Sequence, residues 1–163
     1  FCDADDTYGR SKALGEILSD KHLTLRTSII GPEIKTVGEG LFHWFMNQNG
    51  VIDGYTQAYW GGVTTLQLAK SIDLSINCKL TGLLHVTNGE RISKYDLINL
   101  FKDIWNRSHV KINTVAGKSV DKSLLQTNRC QFNIPSYAEM LEMQHDWMNR
   151  DDELYGQYKK ESV

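Results

Sequence analysis

Apolar residues recur at helical spacing in several stretches, and short β-branched runs lie between them; this alternation predicts an α/β fold. The first helix is expected over residues 7–20, with Leu14, Ile17 and Leu18 on its inner face and Asp3, Asp5 and Asp6 ahead of it as capping and dipole-complementing groups. The run from His22 to Ile30 reads as a strand stopped by Gly31-Pro32. A helix follows over 40–48, carrying Leu41, Phe42, Trp44 and Phe45. Residues 51–63 are rich in glycine and aromatics and read as short strands and loops. Thr64 with Gln67 three residues on is a capping signal for a helix to about residue 76, with Leu68, Ala69, Ile72 and Ile76 inward. Gly82 to Thr87 is a strand closed by Asn88-Gly89. Ser93 and Asp96 open an amphipathic helix bearing Leu97, Leu100, Phe101, Ile104 and Trp105. Val110 to Val115 is a short strand, and Ser136 with Glu139 opens a last helix carrying Met140, Leu141, Gln144, Trp147 and Met148. The polar, Tyr-containing tail from Asp151 is expected to be a frayed helix.

Composition narrows the classes. The chain has 163 residues, 40% hydrophobic and 23% charged, which suits a folded domain rather than a disordered segment. Its net charge of −2 gives no broad basic footprint, so nucleic acid is not expected as a partner. No apolar run approaches a membrane span, and no membrane partner is expected. The three cysteines, Cys2, Cys78 and Cys130, are far apart, which argues against a disulfide framework or zinc site and for a reducing, cytoplasmic setting. No metal site is expected: Asp151-Asp-Glu153 reads as a solvated helix end, and His43 and His85 as structural histidines. Trp44, Trp105 and Trp147 are read as core.

The sharpest local signal is Tyr8-Gly-Arg-Ser-Lys12. Tyr and Lys four residues apart share one helix face. A cation beside a phenol favours its deprotonated form, as general acid/base chemistry between a hydroxyl and a carbonyl requires. The same spacing recurs in Tyr155-Gly-Gln-Tyr-Lys159, so context must separate the two. Around Tyr8 that context is an acidic lead-in, a helix, and then an apolar strand ending in Gly-Pro.

Taken together, Asp3-Ala-Asp-Asp-Thr-Tyr-Gly-Arg-Ser-Lys-Ala-Leu-Gly-Glu16 and Leu23-Thr-Leu-Arg-Thr-Ser-Ile-Ile-Gly-Pro32 resemble the Tyr-x-x-x-Lys helix and following strand of extended short-chain dehydrogenase/reductases. The stretches from Gly54 to Gly62, Thr64 to Ala69, Gly82 to Gly89 and Ile92 to Leu97 resemble that family's sugar-nucleotide members, most closely the dTDP-4-dehydrorhamnose reductase-like branch. The resemblance implies the C-terminal part of a Rossmann-type fold plus a small α/β substrate domain. Residues 1–31 would be the last helix and strand of a dinucleotide-binding domain, and 32–163 mainly substrate-binding, interleaved with the dinucleotide sheet. It implies Tyr8 as catalytic acid/base and Lys12 as the group that holds the nicotinamide ribose and assists Tyr8, with both touching NAD or NADP. Thr27, Ser28 and Ile29 would flank the nicotinamide. Arg26 would orient the strand end or form a structural salt bridge. Trp60, with Tyr55 five residues before it, would contact a base or sugar. Lys122 and Arg129, in a polar segment with Ser123, Thr127 and Asn128, would face the diphosphate of a nucleotide-diphosphate sugar.

Two departures shape the expectation. Ile29 stands where rhamnose-type reductases commonly carry Trp, which leaves the sugar open. The Gly-x-x-Gly-x-x-Gly loop and the family's upstream Ser/Thr are absent, and Gly38-Glu-Gly40 follows no strand. The chain is therefore expected to be the C-terminal portion of a longer reductase of polysaccharide biosynthesis that lacks its N-terminal dinucleotide domain. It should bind NAD(P) weakly and form homo-oligomers through faces left uncovered. The alternatives are an NAD-dependent nucleotide-sugar epimerase or dehydratase, or a non-catalytic nucleotide-sugar-binding or regulatory subunit.

Overall fold

A computed structural model describes residues 7–35, 37–126 and 132–159. Helix α1 (Thr7–Leu14) leads to β1 (Leu23–Arg26) and β2 (Ile29–Ile30). After α2 (Leu41–Met46) come β3 (Val51–Tyr55), β4 (Ala58–Trp60) and β5 (Val63–Thr64). Then follow α3 (Thr65–Asn77), β6 (Gly82–His85), β7 (Ile92–Ser93), α4 (Lys94–Ile104), β8 (Lys111–Val115) and β9 (Val120–Lys122). The chain closes with α5 (Tyr137–Met148), α6 (Asp152–Tyr155) and a 3₁₀ turn at Gly156–Tyr158.

The strands form small, mainly parallel sheets. β1 pairs with β6, Leu23 opposite Gly82 and Arg26 opposite His85. β2 pairs with β5, and β3 with β8. β4 lies between β7, antiparallel, and β9, parallel. Parallel neighbours require crossovers, and helices supply them: α3 precedes β6, and α4 precedes β8. This is the mixed α/β class expected from the sequence.

Two apolar clusters hold these layers. The larger joins Phe42, Phe45 and Met46 of α2 to Leu97, Ile98 and Phe101 of α4, with Ile52, Leu141, Met148 and Tyr158. Its aromatics meet edge-on, Phe42 lying 5.3 Å from Phe101 and 4.7 Å from Trp105. The smaller gathers Val63, Leu84, Val86, Phe132, Tyr137 and Met140. Trp60, Ile92 and Leu100 pack against both and tie them together.

Local signals place the helix starts. The side chains of Thr64, Ser93 and Ser136 accept the backbone N–H groups of Gln67, Asp96 and Glu139, and Ser136 with Glu139 forms a complete capping box.

Other expectations are corrected. The first helix ends at Leu14, not near residue 20. Gly15 and Glu16 close it with tight i→i−3 bonds to Lys12 and Ala13, and the Glu16 carboxylate is then drawn to Arg26 of β1. Leu14, Ile17 and Leu18 are exposed rather than inward. The strand at residues 22–30 is two strands with different partners, broken at Thr27-Ser28. In α3 the buried stripe is Gln67, Ser71 and Ser75, while Ala69, Ile72 and Ile76 face outward. The serine hydroxyls donate to Gln67 O and Ser71 O one turn back, so no polar cost is left. α3 also meets α5, where the buried Gln144 accepts from Thr65 Oγ1 and Leu66 N. Trp44 and Trp147 are largely exposed, at 40% and 48%; only Trp105 packs against the core as expected. The tail does not fray within its described part. Tyr158 is buried, and its hydroxyl meets His43 Nδ1 at 2.8 Å, accepts from Glu33 N and donates to Glu33 O.

Burial has a pH consequence. It pushes the Tyr137 phenol up to about 12, with the nearby Glu90 carboxylate adding to the effect and a backbone hydrogen bond from Gly62 opposing it. The Tyr137 hydroxyl donates to Glu90 O at 2.6 Å. Burial raises Tyr158 in the same way. A phenol whose folded pKa exceeds the unfolded value of about 10 contributes stability in full below pH ~10 and loses it as pH rises towards the folded value. Stability is therefore expected to fall progressively between pH ~10 and ~12, and Tyr137→Phe to flatten that decline. Chemical denaturation at stepped alkaline pH checks this, and an equal decline in the variant would refute it.

Candidate active site

β1 and β6 run parallel and end together at Arg26 and His85. In open α/β sheets, ligands bind beyond the carboxyl ends of such strands. Here the chain changes partner at that point. Thr27 Oγ1 donates to Val86 O at 2.8 Å, and Ser28 O accepts from Val63 N at 2.9 Å, which carries the backbone from the β1–β6 pair to the β2–β5 pair. The turn is tight, since a Cβ on Gly62 would stand 2.1 Å from Ser28 O.

Over this switch lies α1. Together they enclose an open cleft of about 800 Å³ lined by Tyr8, Ser11, Lys12, Glu16 and the segment from Thr24 to Ile29. All five residues expected to carry catalysis and cofactor contact, Tyr8, Lys12, Thr27, Ser28 and Ile29, border this one cavity. Lys12 Nζ lies 5.3 Å from the centre of the Tyr8 ring, and Tyr8 is 72% exposed. The tail repeat of the motif is arranged otherwise. Lys159 turns to Asn149 O and Asp152, which leaves Tyr8-Lys12 as the pair with a cation beside its phenol.

Arg26 forms a two-pronged salt bridge with Glu16, at 2.8 and 2.6 Å. Of the two roles weighed for it, the structural one is thus filled. Glu16 had no assigned role; the signal that could have found it is a carboxylate just past the end of α1, next in sequence to a strand carrying one arginine.

Among the residues expected to face the sugar nucleotide, Trp60 and Lys122 stand opposite each other in the parallel β4–β9 pair. Trp60 is half-buried against Tyr137, ring centres 5.8 Å apart, and borders a second cavity of about 400 Å³ with Ile30, Leu41, Phe42, Thr65 and Lys94. Ile29 borders both cavities, so the cavity that Trp60 lines adjoins the Tyr8 cleft. Lys94 was missed; a cation in the first turn after the Ser93 cap was the available signal. Tyr55 lies apart from both cavities, against Gly117. Thr127, Asn128 and Arg129, like Asp3, Asp5, Asp6, Cys2 and Cys130, lie outside the described residues. Cys78 is an exposed free thiol.

The Gly38-Glu-Gly40 turn binds an anion of its own. Gly40 N donates to Glu33 Oε1 at 2.6 Å and Glu39 N to Glu33 Oε2 at 3.4 Å, so its N–H groups serve Glu33 rather than a phosphate. Among the described residues no group of His, Cys, Asp and Glu could hold a metal ion, and no helix is long and apolar enough to cross a membrane.

No protein-family model and no curated protein matches the chain. Solved structures do. One is a dTDP-4-dehydrorhamnose reductase from Bacillus anthracis in complex with NADP, 20% identical, with a TM-score of 0.65 over 85% of this chain and 52% of that one. Another is a hypothetical dTDP-4-dehydrorhamnose reductase from Sulfolobus tokodaii, 26% identical, with a TM-score of 0.54 over 73% of this chain and 42% of that one. A third is a UDP-N-acetylglucosamine 4-epimerase from Methanobrevibacter ruminantium in complex with UDP-N-acetylmuramic acid, 16% identical, with a TM-score of 0.58 over 80% and 46%. The chain spans about half the length of these structures. Its mixed α/β fold is similar to about half of the fold of these structures, which are Rossmann-type enzymes of the extended short-chain dehydrogenase/reductase kind.

Proposed function

We propose that this chain supplies the acid/base pair and the nucleotide-sugar side of an NAD(P)-dependent reductase acting on a keto-sugar. The observation that carries the reading is the single cleft bordered by Tyr8, Lys12, Thr27, Ser28 and Ile29 at the carboxyl end of two parallel strands.

The cleft suits the nicotinamide-ribose end of the cofactor, with an ammonium and a phenol on the helical wall and the Thr27-Ser28 backbone opposite. It does not suit the pyrophosphate. Among the described residues lining it, no glycine-rich turn leads into a helix, and the Gly38-Glu-Gly40 amides hold Glu33. In this reading the phosphate cradle comes from a segment outside the 163 residues. A reduced nicotinamide bound there supplies the hydride.

The residues of this chain do the rest. Tyr8 gives its proton to the carbonyl oxygen as the carbon is reduced, yielding a secondary alcohol, and regains a proton from the water to which it is exposed. Lys12 holds the ribose hydroxyls and keeps positive charge beside the phenolate. Trp60 offers a flat apolar face to the sugar or base. Lys122 and Arg129 balance the diphosphate. An epimerase or dehydratase would use the same pair, and the likeness to an epimerase keeps that reading as the second one. Binding of dTDP-glucose to this chain, with NADPH as the comparison ligand, is the test; affinity for the sugar nucleotide is the expected result.

A further inference from the structure

His85 ends β6 between two partners of opposite hydrogen-bonding character. Its Nδ1 lies 2.7 Å from Leu125 O, and its Nε2 lies 3.1 Å from Arg26 Nη1. A carbonyl only accepts and a guanidinium only donates. Nδ1 must therefore carry the proton and Nε2 must accept, so the ring is neutral with its tautomer fixed by its neighbours. Arg26 is itself fixed by the two-pronged salt bridge to Glu16. The result is an unbroken relay of Glu16, Arg26, His85 and the Leu125 carbonyl. Its first two members line the Tyr8 cleft. Its last lies in the segment that follows Lys122 and leads towards Arg129. That segment is also seated by close contacts: a Cβ on Gly61 would stand 2.9 Å from Ser123 Cα, and one on Gly89 3.3 Å from the Gln126 side-chain oxygen.

We propose that His85 is a positioning residue that fixes the segment 123–126, and with it Lys122 just before it, relative to the Tyr8-Lys12 pair. It touches neither substrate nor cofactor. In its functional consequence the inference rests on the reading given above. It assigns the two ring nitrogens separate tasks: Nδ1 holds the segment, and Nε2 ties that hold to Arg26.

The two halves of the ring can be replaced one at a time. In His85→Asn the amide NH₂ sits near the position of Nδ1 and can still donate to Leu125 O, while nothing reaches Arg26. In His85→Gln the longer side chain carries an acceptor towards Arg26 and gives up the donation to Leu125. His85→Ala removes both. Hydrogen exchange of the amides of residues 123–126 is expected to quicken about five- to tenfold in His85→Ala and His85→Gln, and to stay near wild type in His85→Asn. Amides of α4 and α5 should be unchanged in all three, which separates local release from general loss of stability. Equal exchange at 123–126 in the Asn and Gln variants, or no quickening in the Ala variant, would overturn the assignment.

The dissociation constant for dTDP-glucose, measured on the same proteins, should rise in His85→Ala and His85→Gln and stay near wild type in His85→Asn. If the wild-type chain binds no dTDP-glucose, the functional reading fails while the exchange data still decide the role of His85. If it binds and the exchange pattern appears without a change in affinity, the positioning role is overturned and only a structural contact remains.

Discussion

Tyr8→Phe is expected to lower the rate of hydride transfer to a nucleotide-linked keto-sugar by about 10²–10⁴-fold, the usual contribution of one positioned general acid/base. The substitution removes one oxygen and leaves the ring, so the contact with Lys12 at 5.3 Å is kept. Tyr8 is 72% exposed, so the loss should not reflect unfolding. KM for the sugar nucleotide should change little, because in the proposed reaction the hydroxyl acts on the carbonyl oxygen in the transition state rather than on ground-state binding. The measurement belongs in the longer polypeptide that the proposal requires, in which a dinucleotide cradle is joined to these residues. A variant that keeps the wild-type rate would remove Tyr8 from the mechanism.

Phe101→Ala is expected to cost about 3–5 kcal/mol of folding stability, as for other fully buried aromatics. Phe101 has no exposed surface and lies at the centre of the larger cluster, its ring 5.3, 5.7 and 6.2 Å from those of Phe42, Phe45 and Trp105. Domains of this size are held by about 5–15 kcal/mol in total, so a loss of that order removes a large share of it. The packing of α2 on α4 should loosen first. Urea denaturation followed by tryptophan fluorescence, with Trp105 as an internal reporter, would show the midpoint falling. A midpoint within error of wild type would mean that the cluster can collapse around the gap.

What the sequence revealed and what it hid divide along a physical line. The helix starts at Thr64, Ser93 and Ser136 were legible because a cap is a bond between residues three apart, which sequence displays directly. The α/β class followed from alternation of period, and Tyr8 and Lys12 could be set on a helix just ahead of the strand carrying Thr27, Ser28 and Ile29 because the two are neighbours in the chain. The inward face of α3 was not legible. Its apolar stripe and its Gln67-Ser71-Ser75 stripe share one helical period, and only the elements packed against α3 decide which is buried. The break at Thr27-Ser28 was hidden for a related reason: whether the nine residues from His22 to Ile30 make one strand or two depends on which strands lie beside them. Tyr158 looked like a tail residue until the fold brought Glu33 and His43 to its hydroxyl. Trp60 and Lys122 could each be named from sequence, yet their pairing rests on the register of β4 with β9. The bond from His85 to Leu125 spans 40 residues, and nothing local announces it.

The proposal is that this chain holds the nucleotide-sugar side and the acid/base pair of a reductase, and that its described residues hold no phosphate cradle for the dinucleotide. Calorimetric titration of the chain with dTDP-glucose and, separately, with NADPH tests it most directly. The account predicts measurable binding of the sugar nucleotide, weakened when Lys122 is replaced by Ala, and weak or no binding of NADPH. Tight binding of NADPH with no binding of the sugar nucleotide would contradict it, because the chain would then hold a phosphate cradle and lack the site assigned to the diphosphate.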